Sequence, residues 1–347
     1  MKISVVRPAE LGAAELDSWR LMQKQNVAIQ SPFLSPEFTL AVGRARTSAR
    51  VAVIEDGGDI VGFFPHELRG RSVGTAIGAG ICDCQGVVHA PGARWDAREL
   101  IRACRLPVWE FDHLVAGQGS FAPYTTAVHA SPIIDLSGGY PAYLNERVSA
   151  TGGIRTIQRK LRKLEREVGP IRFEFDHADP AELRTMMAWK SAQYRRTVQR
   201  DMFGMPWVVD VVTELFHAGT AECTGTLSLL YAGDRAVASH FGIRSHTILA
   251  YWFPAYDVAF SQYSPGLALI LLMAESAAAQ GVCHVDLGRG QARYKDELKS
   301  GELPVAEGRV ESSRLVGAAR RTQSALTSRA RRVRVLRPLR HLRRLRR

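Results

Sequence analysis

Apolar residues recur along this chain with two periods, and each change of period marks an element. Leu11, Leu16, Trp19 and Met22 recur at helical spacing and predict an amphipathic helix over 8–30. Ser35-Pro36-Glu37 predicts a capped start to a second helix, running to about Arg46. Alternation then takes over: VAVIED and DIVGFFPHE flank Gly57-Gly58 and read as a hairpin across 50–67. Short strands are expected at 72–76, 86–89, 108–112 and 133–136, with helices at 93–103 and 137–148. The stretch 117–130 has little periodicity and reads as loop.

Composition changes at Thr151-Gly152-Gly153, and a domain boundary is expected there. Beyond it, Ile157, Leu161, Leu164 and Val168 form one helical stripe. The other faces of that helix carry Arg155, Arg159, Lys160, Arg162, Lys163 and Arg166. A strand at 171–175 precedes Asp179-Pro180-Ala181-Glu182, a capping box opening a helix to about Arg196. Another helix spans 207–218. LSLLYAGDRAVASHF, from Leu227, then aligns without gaps on VAVIEDGGDIVGFFP, from Val51, at a shift of 176 residues. Each copy follows paired helices, so the economical reading is two copies of one α/β fold.

Composition sharpens this picture. A length of 347 residues suits two domains, and 46% apolar residues can build real cores. No apolar run approaches the ~20 residues of a membrane span, and the start MKISVVRPAELG lacks the core of a signal peptide. Five cysteines, an odd number, are scattered with no disulfide framework or zinc spacing. Cys82 and Cys84 share a face and read as small buried residues. These features predict a cytoplasmic protein without a metal. The net charge of +12 is local, because 314–347 holds 13 arginines and no acid, leaving 33 basic and 34 acidic residues in 1–313. That tail, with Leu336, Leu339, Leu342 and Leu345 among arginines, reads as a disordered segment or one lying on an anionic membrane or polyanion.

The stretch 250–295 carries the chemistry. An aromatic strand ends at Pro254, Ser264-Pro265-Gly266 opens a helix closed by Gly281, and 282–287 is a short buried strand broken by Gly288 and Gly290. A helix N-terminus can hold a phosphate, and Gly266 lets a ligand approach the backbone. YSPG, a helix, then DLGRG and Tyr294-Lys295, in this order and spacing, resembles the CelD/BcsL-type branch of the GNAT acyltransferases. That branch is associated with cellulose and exopolysaccharide biosynthesis and related to the FemAB transferases.

The resemblance covers the second half of the chain. It implies an α/β fold of two tandem GNAT-like domains with mixed, largely antiparallel sheets, over 1–150 and 151–313, and an Arg-rich tail over 314–347. It also implies one working cofactor site, in the second domain, and direct acyl transfer from acetyl-CoA. In that reading Tyr263, Ser264, Gly266 and Leu267 anchor the cofactor, and the backbone of Trp252 and Phe253 supplies an oxyanion donor. Lys295 is a second donor for that charge, against the plain reading of a solvated lysine. Asp286 could act as general base or as a turn residue. His240 could do the same, or be a core histidine with one backbone hydrogen bond. For the acceptor, a small molecule, saccharide or cell-envelope group, Trp189, Lys190, Gln193 and Tyr194 share one helical surface, and Asp83 and Gln85 resemble the interdomain loop. The alternatives are a FemAB-like transferase using aminoacyl-tRNA, favoured by the basic helix at 155–166, and a non-catalytic scaffold.

Overall fold

The computed structural model describes residues 1–70, 73–217 and 219–313. In chain order the first half holds β1 (Lys2–Val6), α1 (Ala13–Gln25), α2 (Pro36–Ala45), β2 (Ala49–Asp56), β3 (Asp59–Arg69), β4 (Val73–Ala76), β5 (Val88–His89), α3 (Ala97–Ala103), β6 (Val108–Val115), β7 (Thr125–Asp135) and α4 (Tyr140–Ala150). The second holds α5 (Gly153–Val168), β8 (Ile171–Glu174), α6 (Pro180–Arg196), α7 (Pro206–His217), β9 (Thr224–Ala232), β10 (Arg235–Arg244), β11 (Ile248–Tyr256), α8 (Pro265–Ala279), β12 (His284–Asp286), α9 (Arg293–Leu298) and β13 (Gly301–Glu311).

All the strands join one mixed sheet in the order β1-β2-β3-β4-β6-β13-β7-β12-β11-β10-β9-β8, with β5 beside β3. That order reads the same from both ends once the halves are superposed. The last strands are exchanged: β13 pairs with β6 of the first half, and β7 pairs with β12 of the second. The two exchanged strands then pair with each other, from Gly301 opposite Ile133 to Gly308 opposite Thr125. The predicted boundary at 151–153 falls between α4 and α5, while the sheet runs on unbroken.

The internal repeat is visible in the hydrogen-bond register. In β2–β3, Ile54 pairs Gly62 and Glu55 pairs Ile60, which leaves Val61 as a bulge. In β9–β10, Leu230 pairs Ala238 and Tyr231 pairs Ala236, which leaves Val237 as a bulge. Val61 and Val237 are 176 residues apart, so the two hairpins match down to the extra residue. The equivalent helices α2 and α7 pack against each other, and one core runs from Trp19 and Phe38 to Val211 and Trp252.

Local signals fix most helix starts. Ser35 Oγ accepts the Phe38 N–H (3.1 Å), and Asp179 Oδ1 accepts the Ala181 N–H (2.8 Å). The stripe on α5 is as expected, with Ile157 and Leu164 buried. Three expectations need correcting. The helix expected over 8–30 is α1 alone, flanked by 3-10 turns at Pro8–Glu10 and Val27–Ile29. The stretch 117–130 is not loop: its second half begins β7, whose outer residues alternate between half-buried and exposed. Its register comes from backbone pairing on both edges, which no apolar alternation in TTAVHASP announces. For the same reason β13, GELPVAEGRVE, has no counterpart in the sequence reading. The expectations for the Arg-rich tail lie outside the described residues.

Because each half completes its sheet with the other's last strand, fragments 1–150 and 151–313 made separately are expected to aggregate or lack cooperative unfolding. Made together, they should co-purify with the circular dichroism of the intact protein. A monomeric 151–313 with a sharp thermal transition would contradict the exchange.

Candidate functional site

The central feature is where β11 and β12 part. They pair in parallel only from Ile248–His284 to Ala250–Asp286; β12 then ends, while β11 continues to Tyr256. At that point β11 holds one more residue than β10, between the pairs Ile243–Ala250 and Phe241–Phe253. Such a bulge bends a strand and leaves an amide without a ladder partner. The Trp252 N–H is caught by His240 Nε2 at 3.1 Å. His240 is fully buried and stacks on Tyr251 at 4.6 Å. Burial, helped by the Lys190 charge, lowers its pKa to about 3. Accepting at Nε2 fixes the neutral ring's proton on Nδ1, so His240 has no lone pair for a substrate proton. It is the core histidine with one backbone hydrogen bond. Trp252, expected to offer an oxyanion donor, has its amide engaged, and its indole N–H bonds the Ile81 carbonyl (2.8 Å). The next residue, Phe253, is back in the ladder, paired with Phe241 of β10.

In the first half the matching gap between β4 and β6 is closed by the chain itself. Gln85 pairs with β6, its N–H on the His113 carbonyl and its carbonyl on the Val115 N–H, both at 2.9 Å. The Gln85 side chain bonds Asp112 Oδ1 (2.7 Å) and the amides of Asp112 and His113 (3.0 and 3.2 Å). Buried and fully engaged, Gln85 is a structural plug, not the expected substrate contact. The same loop carries Asp83 across to the second half. Its carboxylate lies 3.9 Å from His113 Nε2, and Oδ2 lies 3.5 Å from where a Cβ on Gly288 would stand.

Around Asp83 the charges are finely balanced. Burial pushes its carboxyl up to about 6; His113 and Lys295 oppose this, while Asp286 and Asp112 reinforce it. The side chain keeps 36% of its surface exposed. Burial works against the His113 imidazolium, yet the bond to Asp112 (2.9 Å) and the charges of Asp83 and Asp112 raise its pKa. Lys295 is buried, not solvated: Nζ donates to the carbonyls of Gly288 (2.8 Å) and Arg289 (3.2 Å). Burial lowers its pKa against the pull of Asp83 and Asp286. Asp286 Oδ1 accepts from Ser131 Oγ and from the Gly288 N–H, both at 2.9 Å. Asp286 is thus the turn residue, holding the glycine loop beneath Asp83.

At the α8 junction the expectations hold in part. Ser264 sits at the N-cap in the left-handed region (φ 52°), and its hydroxyl accepts Lys160 Nζ (2.8 Å) instead of capping the helix. The Tyr263 hydroxyl donates to Glu167 (2.9 Å), so neither hydroxyl is open. The Ser264 carbonyl accepts the N–H groups of Leu267 (3.0 Å) and Ala268 (3.4 Å). Leu267 is therefore no free donor. Gly266 N–H makes no hydrogen bond among the described residues, and a Cβ there would meet only Tyr256, at 3.7 Å. The sequence reading missed Lys160 as a site residue; the basic stripe of α5 was its only signal.

On α6 the predicted surface forms around a buried lysine. Lys190 has its Nζ on the Pro254 carbonyl (2.9 Å) and near Gln193 Oε1 (3.4 Å), 5.1 Å from the Tyr194 ring. Burial lowers its pKa to about 8. Trp189 packs half-buried on the shared core. Both Cys82 and Cys84 are buried, as expected. Among the described residues no cluster could hold a metal, and no helix is long and apolar enough to cross a membrane.

His240→Phe is expected to cost about 1–3 kcal/mol at pH 7 by orphaning the Trp252 amide. Because wild-type His240 stays neutral when folded but gains a proton when unfolded below pH 6.5, only the wild type loses stability there. The deficit should shrink by about 1.4 kcal/mol per pH unit, measured by urea unfolding. A deficit unchanged from pH 7 to pH 5 would contradict the assignment.

Residues 153–296 match the acetyltransferase (GNAT) domain family. No curated protein is matched by the sequence. Among solved structures, the chain resembles the C-terminal domain of a protein described as a lysylphosphatidylglycerol synthetase from Agrobacterium fabrum, at 11% identity and a TM-score of 0.55, over 90% of this chain and 96% of that one. It resembles FemX at 9% identity and a TM-score of 0.55, over 89% and 96%. A conserved protein of unknown function from Bacteroides thetaiotaomicron is similar at 10% identity and 0.55, over 88% and 100%. At these identities the likeness is one of fold. The matched segment runs from α5 to α9, so the parting strands, the α8 junction and Lys295 all lie in the stretch that is similar to GNAT acetyltransferase domains.

Proposed function

We propose that the chain is an acyl-CoA-dependent acyltransferase, with acetyl as the expected group and a saccharide or cell-envelope amine or hydroxyl as acceptor. The observation that carries this reading is the gap left where β11 and β12 part, directly beside the N-terminus of α8. The thioester lies along that gap. Its diphosphate takes the Gly266 N–H and the Lys160 ammonium, a helix N-terminus reinforced by a cation. The ammonium of buried Lys295 stabilises the oxyanion.

Asp83 is the general base. It accepts the proton of the attacking amine or hydroxyl as the new C–N or C–O bond forms. The C–S bond then breaks, and coenzyme A leaves as a thiolate that takes up a proton from water to become the thiol. The acceptor enters over α6, with Tyr194 and the half-buried Trp189 forming one wall. The acetyl donor and the cellulose or exopolysaccharide setting follow from the CelD/BcsL resemblance.

Calorimetry with acetyl-CoA tests the donor. Saturable binding is expected, and Gly266→Trp should abolish it while leaving the fold intact, since the new side chain meets open space. For the base, kcat/KM is expected to rise with pH through about 6, because only the ionised Asp83 accepts a proton. Asp83→Asn should lower kcat by about 10²–10⁴-fold and remove that limb. An unchanged acidic limb in the variant would assign the proton elsewhere.

One observation favours a second reading. Arg155, Arg159 and Arg162 lie exposed on α5, above the α8 junction, with no carboxylate partner among the described residues. Such a stripe suits the phosphates of an aminoacyl-tRNA. If acetyl-CoA fails to bind but a charged tRNA binds with affinity lost in Arg159→Glu, this donor replaces coenzyme A.

A further inference from the structure

We infer that a second cavity, on the first half and remote from the proposed acyl site, binds an amphiphilic anion: a carboxylate head on a short apolar body. The cavity holds about 610 Å³ between β1, the start of β2, the end of β3 and the turn after α3. Its origin is the unequal length of two equivalent helices. α8 has 15 residues and covers its half of the sheet, whereas α3 has only 7. The uncovered face includes Val5 and Leu68, still 39% and 37% exposed, beside Ile3. An apolar wall of this kind calls for an apolar occupant.

The polar lining then selects the sign of that occupant's charge. Arg50 spends one guanidinium nitrogen on the carbonyls of Thr47 and Ala49 (2.8 and 2.7 Å). No carboxylate reaches Arg50 or the exposed Arg105 within ion-pair distance among the described residues. Burial lowers the His66 pKa to about 4 and raises that of Cys104 to about 12, so neither adds charge at neutral pH. Two unpaired guanidinium groups beside the apolar patch of Ile3, Val5 and Leu68, in a cavity lined by polar and apolar groups alike, fit a carboxylate with a short hydrocarbon body. The competing occupant is the chain itself. Ser312 bonds the Pro107 carbonyl through its N–H (3.0 Å) and hydroxyl (3.1 Å), so the described residues end next to Leu106, which lines the cavity. The 13 arginines of the segment 314–347 and its lack of any acid oppose docking on Arg50 and Arg105.

Methyl NMR of the full chain titrated with octanoate tests this, with octanol and inorganic phosphate as separate probes. Octanoate is expected to shift the methyl signals of Ile3, Val5 and Leu68 saturably, and the two controls should not at equal concentration. Arg50→Gln with Arg105→Gln should weaken octanoate at least tenfold. Arg105→Gln alone, at an exposed unpartnered residue, should weaken it measurably without disturbing the fold. The inference is overturned if octanol binds equally well, if the double variant binds like the wild type, or if no shift occurs. It is equally overturned if shifts appear only in a chain ending at Ser313, since the segment 314–347 would then be the occupant.

Discussion

The pairing of β7 with β13 is the constraint on which the rest depends. Each strand belongs by sequence to one half and by hydrogen bonding to the other, so the two sheets become one. Backbone groups at the centre of a sheet have no water to fall back on, and each unmade bond there carries a desolvation cost. The halves are therefore not two beads on a linker. The relative position of any residue in one half and any in the other is fixed by a continuous ladder, at the precision of a sheet.

That precision matters because the candidate site draws on both halves. Asp83 comes from a loop of the first half, while Lys295, Asp286 and the Gly288 turn come from the second. Duplication created two equivalent gaps between parting strands, and the chain treats them differently. In the first, Gln85 completes the ladder with β6 and satisfies the exposed amides with its side chain. In the second, β11 bulges, His240 absorbs the orphaned amide, and the gap stays open. The loop that closes one gap is the loop that supplies a carboxylate to the other.

Much of this was legible in the sequence, and what was not has physical causes. The hairpins and their duplication were readable because alternation and glycine turns are local. The α8 junction was readable from Ser264-Pro265-Gly266, although Ser264 takes a left-handed conformation and gives its hydroxyl to Lys160. By contrast, β13 and the part of β7 before Ile133 were missed because their stability lies in pairing between residues some 170 positions apart in sequence. Their side chains carry almost no alternation to announce it. Gln85 and Asp83 were singled out together, but only the fold separates them: one faces into the plug and the other out of it. Lys190 and Lys295 look alike in sequence to any solvated lysine. Burial in the fold lowers both pKa values, and the carbonyls that accept their hydrogen bonds come from distant Pro254 for Lys190 and from the nearby glycine turn, Gly288 and Arg289, for Lys295.

The electrostatics of the shared site follow from the same exchange. A lone buried carboxylate would protonate, and a lone buried ammonium would lose its proton. Asp83 and Lys295 each oppose the other's loss of charge, with Asp286 pushing Asp83 up and holding Lys295 charged. The second half acts on Asp83 in both directions, Asp286 raising its pKa and Lys295 lowering it, beside the burial that raises it most. In the proposed reaction the base is thus tuned in part across the shared sheet: the strand exchange that holds the molecule together also sets these two charges beside Asp83.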